Sequence, residues 1–295
     1  TGTMPSDLGN LSQLTELLLS NNQLSGPIPS ELGNFKELQL LHLDRNSLFD
    51  GIPIELGQLS KLRELSLFNN LILSGSIPSE LGNLMQLTLL DLSRNPLSGA
   101  YLPSELGYLT QLQMLRLDSI SLQGGIPSEL GQLSRLAELS LSNNKLSGSI
   151  PSELGNLTHL TRLNLWRNAL TGTIPSELGK LTLMNDLKMN SNQLNGTIPS
   201  EVGNLIELST LQLNSNTLSG TIPSELGNLI KLSTLFIQVN KFSGTIPSDL
   251  GKLTQMKELL LEYNELGGII PSELGNLMQL TRLHLLTNKL SGTKI

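Results

Sequence analysis

The side chains that most often carry catalysis are few and scattered in this chain. Its 295 residues include three histidines, His42, His159 and His284, and no cysteine. Neither a thiolate nucleophile nor a cysteine-based zinc site can therefore form. No phosphate-binding glycine loop, no metal-spaced histidine cluster and no Ser-His-Asp arrangement can be assembled from its motifs. We expect no enzyme activity, no cofactor and no metal.

Carboxylates are the abundant reactive group, and twelve of the 25 acidic residues recur at one position of a regular pattern. These residues are Asp7, Glu31, Glu55, Glu80, Glu105, Glu129, Glu153, Glu177, Glu201, Glu225, Asp249 and Glu273. General acid–base catalysis needs two carboxyls in different surroundings, whereas repetition gives every member of this column the same surroundings. The remaining 13 acidic residues face 19 basic ones, so the net charge of −6 indicates no particular partner.

The pattern that carries this column is a repeat of about 24 residues, seen clearly in residues 136–162. Leucine occupies its first, fourth, sixth and eleventh positions (Leu136, Leu139, Leu141, Leu146), and Asn144 occupies the ninth. The frame restarts twelve times, and we number the resulting coils 1 to 12 from Leu14, Leu38, Leu62, Leu87, Leu112, Leu136, Leu160, Met184, Leu208, Leu232, Met256 and Leu280. Such a repeat predicts a solenoid in which each coil stacks on the next. We expect one repeat domain over residues 1–295, cut within a repeat at both ends and so part of a longer chain.

The spacing within one repeat predicts an α/β repeat solenoid. Leu139 and Leu141 alternate as the inward residues of a strand do, which directs positions 3, 5 and 7 of the frame outward. Gly148 permits a bend, and a short second strand is expected around Ile150. Pro151 then begins a short helical turn, and we expect Gly155 to end it.

An inward asparagine at position 9 can bond backbone groups that would otherwise be buried without partners. Eleven of the twelve coils keep it, and Ile120 is the exception. The predicted ladder consists of Asn22, Asn46, Asn70, Asn95, Asn144, Asn168, Asn192, Asn216, Asn240, Asn264 and Asn288.

The segment LSGTIPSELGNL at residues 218–229, repeated with small changes in almost every coil, resembles the plant-specific class of leucine-rich repeats. Similar repeats form the ectodomains of plant receptor-like kinases and receptor-like proteins and the polygalacturonase-inhibiting proteins, and occur in algal and diatom surface proteins. The resemblance implies a right-handed arc with a parallel sheet on its inner, concave face. It also implies short secondary strands, short helical or 3-10 turns on the outer side, and recognition outside the cell or at its surface. No segment is long and apolar enough to span a membrane, and an anchor in flanking sequence is left open.

Variation among the coils is concentrated at the outward strand positions, as a recognition surface requires. One candidate cluster centres on Trp166, the single tryptophan, because exposed Trp and Arg are enriched at binding hot spots. The second candidate cluster is an outward apolar patch formed by Phe236, Leu260, Tyr263 and Leu286, where a polar surface would be the default. The partner-binding candidates are Arg116, Asp118, Arg162, Asn164, Trp166, Arg167 and Lys188 for the first cluster, and Phe236, Leu260 and Tyr263 for the second. The balanced charge of this face favours a peptide or protein partner and argues against nucleic acid, and a glycan partner is left open as well.

Other functions stay open on the sequence. The row Thr173, Thr197, Thr221 and Thr245 is compatible with a structural or ice-interacting surface protein, since similar plant repeats include an ice-binding example. Inhibition of a cell-wall hydrolase is a further alternative. Departures from the frame between residues 49 and 120 indicate either tolerated loops or a local bulge that shapes a contact surface. Three sequons, at Asn10, Asn156 and Asn195, would accept glycan in a secreted protein.

Overall fold

The structure, a computed structural model, describes residues 2–97 and 99–292. It contains two compact units, Thr1–Ser147 (unit 1) and Gly148–Ile295 (unit 2). The single repeat domain expected over residues 1–295 stays a prediction.

Each unit contains a parallel sheet built from one three-residue strand of each coil, which we call its main sheet. In unit 1 the order follows the sequence: Glu16–Leu18, Leu40–His42, Glu64–Ser66, Leu89–Asp91, Met114–Arg116 and Glu138–Ser140. In unit 2 it is Arg162–Asn164, Asp186–Lys188, Thr210–Gln212, Thr234–Phe236, Glu258–Leu260 and Arg282–His284. Strands pair in register, so that equivalent positions of successive coils lie side by side. The predicted parallel sheet is confirmed.

Shorter strands follow the main-sheet strand in most coils and begin before the expected second strand. They span Gly2–Thr3, Leu24–Gly26, Ser47–Asp50, Ile72–Leu73, Gln123–Gly124, Lys145–Ser149, Ala169–Thr171, Ser219–Gly220, Lys241–Phe242, Gly267–Gly268 and Lys289–Leu290. In coil 6 the strand stops at Ser149, before Ile150. The sequence placed it too late, because Pro151 lacks an N–H and can donate no bond to a neighbouring strand.

The helical turns are 3-10 helices of five residues, and no α-helix occurs among the residues the structure describes. They span Ser6–Asn10, Ser30–Asn34, Ile54–Gln58, Ser79–Asn83, Ser104–Tyr108, Ser128–Gln132, Ser152–Asn156, Ser176–Lys180, Ser200–Asn204, Ser224–Asn228, Ser248–Lys252 and Ser272–Asn276. Proline is the residue before each one and has the extended backbone that starts it, as at Pro151. The column of carboxylates occupies the first turn of these helices, where an acid complements the helix dipole.

Two glycines of the repeat have different roles. Gly148 has a φ of +75°, the left-handed conformation that its bend requires. Gly155 has no positive φ and does not end the helix, which continues to Asn156 and is capped at Leu157. A Cβ atom on Gly155 would instead stand 2.4 Å from the backbone oxygen of Glu177 in the next coil. The prediction for Gly155 was wrong because the position is selected by close packing of successive helices.

The core of each unit is formed by the inward leucines, and the ladder asparagines lie at its edge. Asn192 shows the arrangement: its Nδ2 donates to Met189 O at 3.1 Å and to Leu165 O of the previous coil at 3.0 Å, while its Oδ1 accepts from Leu170 N at 3.1 Å. The same three contacts recur at Asn46, Asn70, Asn144, Asn216, Asn240, Asn264 and Asn288. Each asparagine therefore links two coils.

At Asn168, Nδ2 donates to Leu165 O of its own coil at 3.1 Å. Three other ladder positions vary the arrangement. Asn22 donates to carbonyls of its own coil. Asn95 donates to both coils but accepts from Asn70 N, where the sequence carries an extra residue. Ile120 is buried at the ladder position of coil 5 and offers no acceptor. The N–H of Leu97 bonds locally to Asn95 O at 2.9 Å.

Candidate recognition surface

The outward positions of the main sheets provide the surface on which side-chain chemistry changes from coil to coil. In most strands the middle residue is buried and the two flanking residues are partly exposed, as at Asp186–Lys188. In-register pairing places Asn164 beside Lys188, then Gln212 and Phe236, in one row of unit 2. A constant backbone thus displays a variable row of side chains.

Arg116 and Asp118, predicted to contact a partner, bond side chains of the next coil. The Arg116 guanidinium donates to both carboxylate oxygens of Glu138, from Nε at 2.7 Å and from Nη2 at 2.8 Å. This bidentate bond raises the pKa of Arg116. Asp118 accepts bonds from Ser140 Oγ at 2.7 Å and from the backbone N–H and hydroxyl of Ser142. Their role towards a partner stays a prediction, and these internal bonds hold both side chains in place.

A simple spacing accounts for these contacts. Position 5 of one coil meets position 3 of the next, 22 residues later, as in Arg116–Glu138 and in His42–Glu64, whose Nε2 and Oε2 atoms are 3.0 Å apart. Residues 24 apart pair in the same way, as in Lys231–Glu207 at 2.5 Å. Opposite charges at these two separations are visible in the sequence, so the ion pairs could have been found there.

Unit 1 also contains polar and aromatic groups that the sequence did not single out. Burial raises the pKa of Asp91, whose Oδ1 accepts a bond from Ser93 N at 2.9 Å.

The ring of Phe68 lies between the guanidinium groups of Arg45 and Arg94, each 5.6 Å from its centroid. Both arginines are exposed at position 8, which makes this a second cationic and aromatic cluster.

The frame departures in unit 1 bring apolar side chains to the surface. Phe49 pairs in register with Ile72 in the shorter strands, and both are exposed. Leu71 and Tyr101 are exposed as well. The structure therefore places side chains there that a contact surface could use, and the choice between tolerated loops and a shaped bulge stays open.

The unit 2 members of the first predicted cluster lie at and next to the first strand of the main sheet. Arg162 and Arg167 are exposed, while Asn164 and Trp166 are half-buried. The backbone N–H of Trp166 faces Asn164 Oδ1 at 3.5 Å, and the N–H of Arg167 donates to Asn190 O at 3.0 Å.

Lys188 lies in the neighbouring strand of this sheet. Its ammonium pairs with Asp186 Oδ2 at 2.7 Å. Asp186 itself lies beside Arg162 in the register of the sheet. The structure thus brings Lys188 and Arg162 onto adjacent strands.

The second predicted cluster is only partly exposed. Tyr263 and Leu286 are 51% and 52% exposed, and Phe236 is half-buried. Leu260 is only 3% exposed, so the prediction that it adds exposed apolar surface to this patch was wrong. Large outward side chains pack against those of the adjacent coils, as expected for Leu260 between Phe236 and His284. Such packing cannot be predicted from the sequence of one strand alone.

Unit 2 also carries the threonine row. Thr173, Thr197, Thr221 and Thr245 are exposed, and their methyl groups all face the glycine of the following coil. Next to Thr197, Thr221 and Thr245 lies a groove of about 900 Å³, lined coil after coil by the Ile-Pro-Ser-Glu segment or its Asp variant.

Asn10, Asn156 and Asn195 are all exposed, as glycan acceptors must be. Glycosylation of these sequons stays a prediction.

Over residues 2–97 and 99–292, no three His, Cys, Asp or Glu side chains are grouped as a metal site would require. In the same described ranges, no helix has the length and apolar character needed to cross a membrane.

Comparisons with known proteins agree with this architecture. A family described as a leucine-rich repeat region matches residues 74–197, and a leucine-rich repeat family matches residues 13–35, 61–84, 207–229, 231–253 and 255–277. No curated protein matches the chain.

Solved structures are similar over nearly the whole chain. The leucine-rich-repeat ectodomain of the Arabidopsis receptor kinase HAESA, in complex with a peptide hormone ligand, is 35% identical over 99% of this chain and 53% of its own, with a TM-score of 0.85. A Leptospira interrogans leucine-rich-repeat protein is 36% identical over 98% of this chain and 71% of its own, with a TM-score of 0.79. A plant ice-binding protein is 28% identical over 86% and 84%, with a TM-score of 0.68. The chain spans about half the length of the plant receptor chains it resembles.

Proposed function

Because the chain belongs to the leucine-rich-repeat family, with repeats of the plant-specific type, we propose that it is a non-catalytic recognition scaffold for a peptide or protein. The observation that carries the proposal is the row of outward positions on the main sheets, where the backbone register is constant and the side chains are not. A rigid array of this kind presents many side chains to a ligand without the entropic cost of ordering a loop.

In unit 2 the first candidate contact is Trp166 with its neighbours Arg162 and Arg167. Aromatic and guanidinium groups combine apolar area with donors, and they dominate binding energy where they can be desolvated. Similarity to a receptor ectodomain that holds a peptide hormone supports a peptide as the ligand and the extracellular side as its location.

The test is selection of a displayed random-peptide library on the immobilised chain, followed by affinity measurements with the selected peptides. A double variant, Arg162→Ala/Trp166→Ala, should bind at least about tenfold more weakly, the typical loss at a hot spot. The matched control is Lys180→Ala, an exposed residue at the end of a 3-10 helix, which should bind as the parent chain does. Peptides that bind the double variant normally, or that are lost with the control, would refute the proposal.

A specific observation favours a second candidate, interaction with ice. The exposed threonine row presents hydroxyl and methyl groups at a constant repeat, and the similar plant ice-binding protein matches along 84% of its own length. If this is the function, the chain slows ice recrystallisation, and Thr221→Lys abolishes the effect by adding a bulky charge within the row. Failure of the unaltered chain to change ice growth would eliminate this candidate.

A further inference from the structure

Among the described residues, the buried side-chain polar atoms that lack a hydrogen-bond partner are all oxygens, and all lie in unit 2. They are Asp186 Oδ1, Asn190 Oδ1, Gln238 Oε1 and Glu262 Oε2. All occupy positions 3 or 7 of the frame, which leave the main sheet on its outward face. Buried acceptors without donors cost free energy, so native structures keep few of them without a reason. A set made only of acceptors indicates a missing donor.

Of these four residues, Glu262 is the one for which a missing hydrogen-bond donor costs most. It is only 9% exposed, and one of its oxygens, Oε1, lies 3.5 Å from Nδ1 of His284. The other, Oε2, has no partner. A carboxylate with one buried oxygen unpaired is more costly than an amide in the same place, because the charged form loses more hydration. A cationic donor would relieve this cost most completely.

The position of the neighbouring acceptor is fixed by the backbone. Gln238 occupies the same frame position as Glu262 in the preceding coil, and the N–H of Val239 donates to Glu262 O at 3.0 Å. The N–H of Tyr263 likewise donates to Leu286 O at 3.0 Å. The backbones at position 7 of coils 10, 11 and 12 are thus held in adjacent places.

Exposed apolar side chains border these acceptors. Val239 is 46% exposed, and with Tyr263 and Leu286 it forms an apolar margin along the ends of three successive strands. Val239 also has a φ of +56°, a conformation that a β-branched residue rarely adopts. Exposed apolar residues beside unpaired polar atoms are typical of a binding surface, in which both become covered.

Two cations on this face have partners other than Glu262. Arg282 pairs with Glu258 at 3.0 Å, and Lys188 pairs with Asp186 at 2.7 Å. Neither ion pair includes Glu262, whose other oxygen is left for a donor from outside the chain. The acceptors call for a cationic donor, and the apolar margin calls for an apolar group next to it.

We infer that coils 10 to 12 bind a peptide through one Arg or Lys side chain, which donates to Glu262 and Gln238, while an adjacent apolar residue of the peptide packs on Val239, Tyr263 and Leu286. The inference rests on the proposed recognition function and names its partner chemistry. A guanidinium suits a site with more than one acceptor because it presents several donors in one plane.

The probe is a displayed library of random heptapeptides, selected in parallel on the immobilised chain and on Glu262→Gln. Peptides selected on the chain should be enriched in Arg or Lys next to an aliphatic or aromatic residue. They should bind Glu262→Gln at least about tenfold more weakly. The matched control is Glu258→Gln, which removes a carboxylate of the same coil that already pairs with Arg282, and it should leave affinity nearly unchanged.

Glu262→Met separates binding from folding. Removing a buried oxygen that lacks a donor should leave the urea midpoint of unfolding equal or higher, while the cationic peptides no longer bind. A residue needed only for structure would give a lower midpoint. If Glu262→Met does unfold, Gln238→Met provides the same comparison in the adjacent coil.

Selected peptides that are neutral or acidic, or that bind Glu262→Gln as well as the parent chain, would overturn the inference. If such peptides are lost in Arg162→Ala/Trp166→Ala, the recognition function stands and only its assignment to coils 10 to 12 fails. If no peptide is enriched on the folded chain, the recognition function and the inference fail together.

Discussion

Gly155 packs so closely against Glu177 of the next coil that a Cβ atom on the glycine would stand 2.4 Å from the glutamate backbone oxygen. The obstacle is backbone, which cannot rotate away as a side chain can. Equivalent approaches at 2.4–2.7 Å separate the successive 3-10 helices of both units, for example at Gly33 and Gly251. The repeat therefore selects glycine here for stacking rather than for an unusual φ.

Gly155→Ala should accordingly destabilise the chain by at least about 1–3 kcal/mol, the cost of inserting a methyl group into closely packed structure. Urea unfolding followed by circular dichroism measures the change. Gly275 is the matched control, because it has the same place in its helix but nothing lies within 4 Å of the added Cβ. An equal loss in Gly275→Ala would mean that helix geometry, and not stacking, sets the requirement.

The ladder asparagines make a second prediction about stacking. Asn192→Ala removes the three contacts with Met189, Leu165 and Leu170, and leaves their buried backbone groups without partners. We expect a loss of about 2–4 kcal/mol in the free energy of unfolding, because each unpaired buried group carries a desolvation cost. Asn195→Ala, at an exposed position of the same coil, should change it by less than about 0.5 kcal/mol. Similar effects for the two variants would contradict a structural role for the ladder.

The repeat made the backbone predictable from local spacing. Alternating Leu139 and Leu141 predicted the strand, and an inward Asn144 predicted bonds to turn carbonyls, because both depend on one coil and its nearest copy. Gly155 was misread because its constraint comes from the next coil rather than from its own helix.

The candidate surface was less predictable, because outward side chains respond to their neighbours in adjacent coils. Leu260 is covered although its position points outward, and Arg116 is bonded to Glu138. The 22-residue separation of that pair was visible in the sequence. The sequence could not show that Glu262 Oε2 lacks a hydrogen-bond partner. That property depends on the positions of all the surrounding donors in the folded chain.

Asp91 makes a prediction about pH. Burial raises the pKa of its carboxyl above the ordinary value of 3.8, so the folded chain holds that proton more tightly than the unfolded chain. The stabilising contribution of protonation is complete below about 3.8 and is lost as pH rises through the folded-state pKa.

Asp91→Asn keeps the acceptor for the N–H of Ser93 but has no charge to bury. The free energy of unfolding of the parent chain, relative to this variant, should fall as pH increases above 3.8 and then level off. Denaturant midpoints measured across the acid range provide the test. The trend should persist at high salt, because its first cause is burial rather than interaction with a distant charge. A relative stability that rises with pH would be the wrong sign.

Val239 makes the last prediction, which concerns backbone strain beside the proposed peptide site. Position 8 has a positive φ in all the described coils, and asparagine occupies it in some, as at Asn143 with a φ of +53°. Valine has no local hydrogen bond to offset the close approach of its Cβ to the backbone, whereas asparagine adopts this conformation readily. Val239→Asn should raise the free energy of unfolding by about 1 kcal/mol. The same change should weaken binding of the selected cationic peptides, because it removes part of their apolar margin.

The control is Ile230→Asn, a change at an exposed apolar residue of coil 9 whose φ is not positive. It should give no gain in stability and no change in peptide affinity. If both variants gained equally, the benefit would come from a more polar surface and not from relief of strain. If Val239→Asn gained stability and bound the peptides unchanged, Val239 would be strained for reasons other than ligand contact, and the peptide site would have to lie at Glu262 without it.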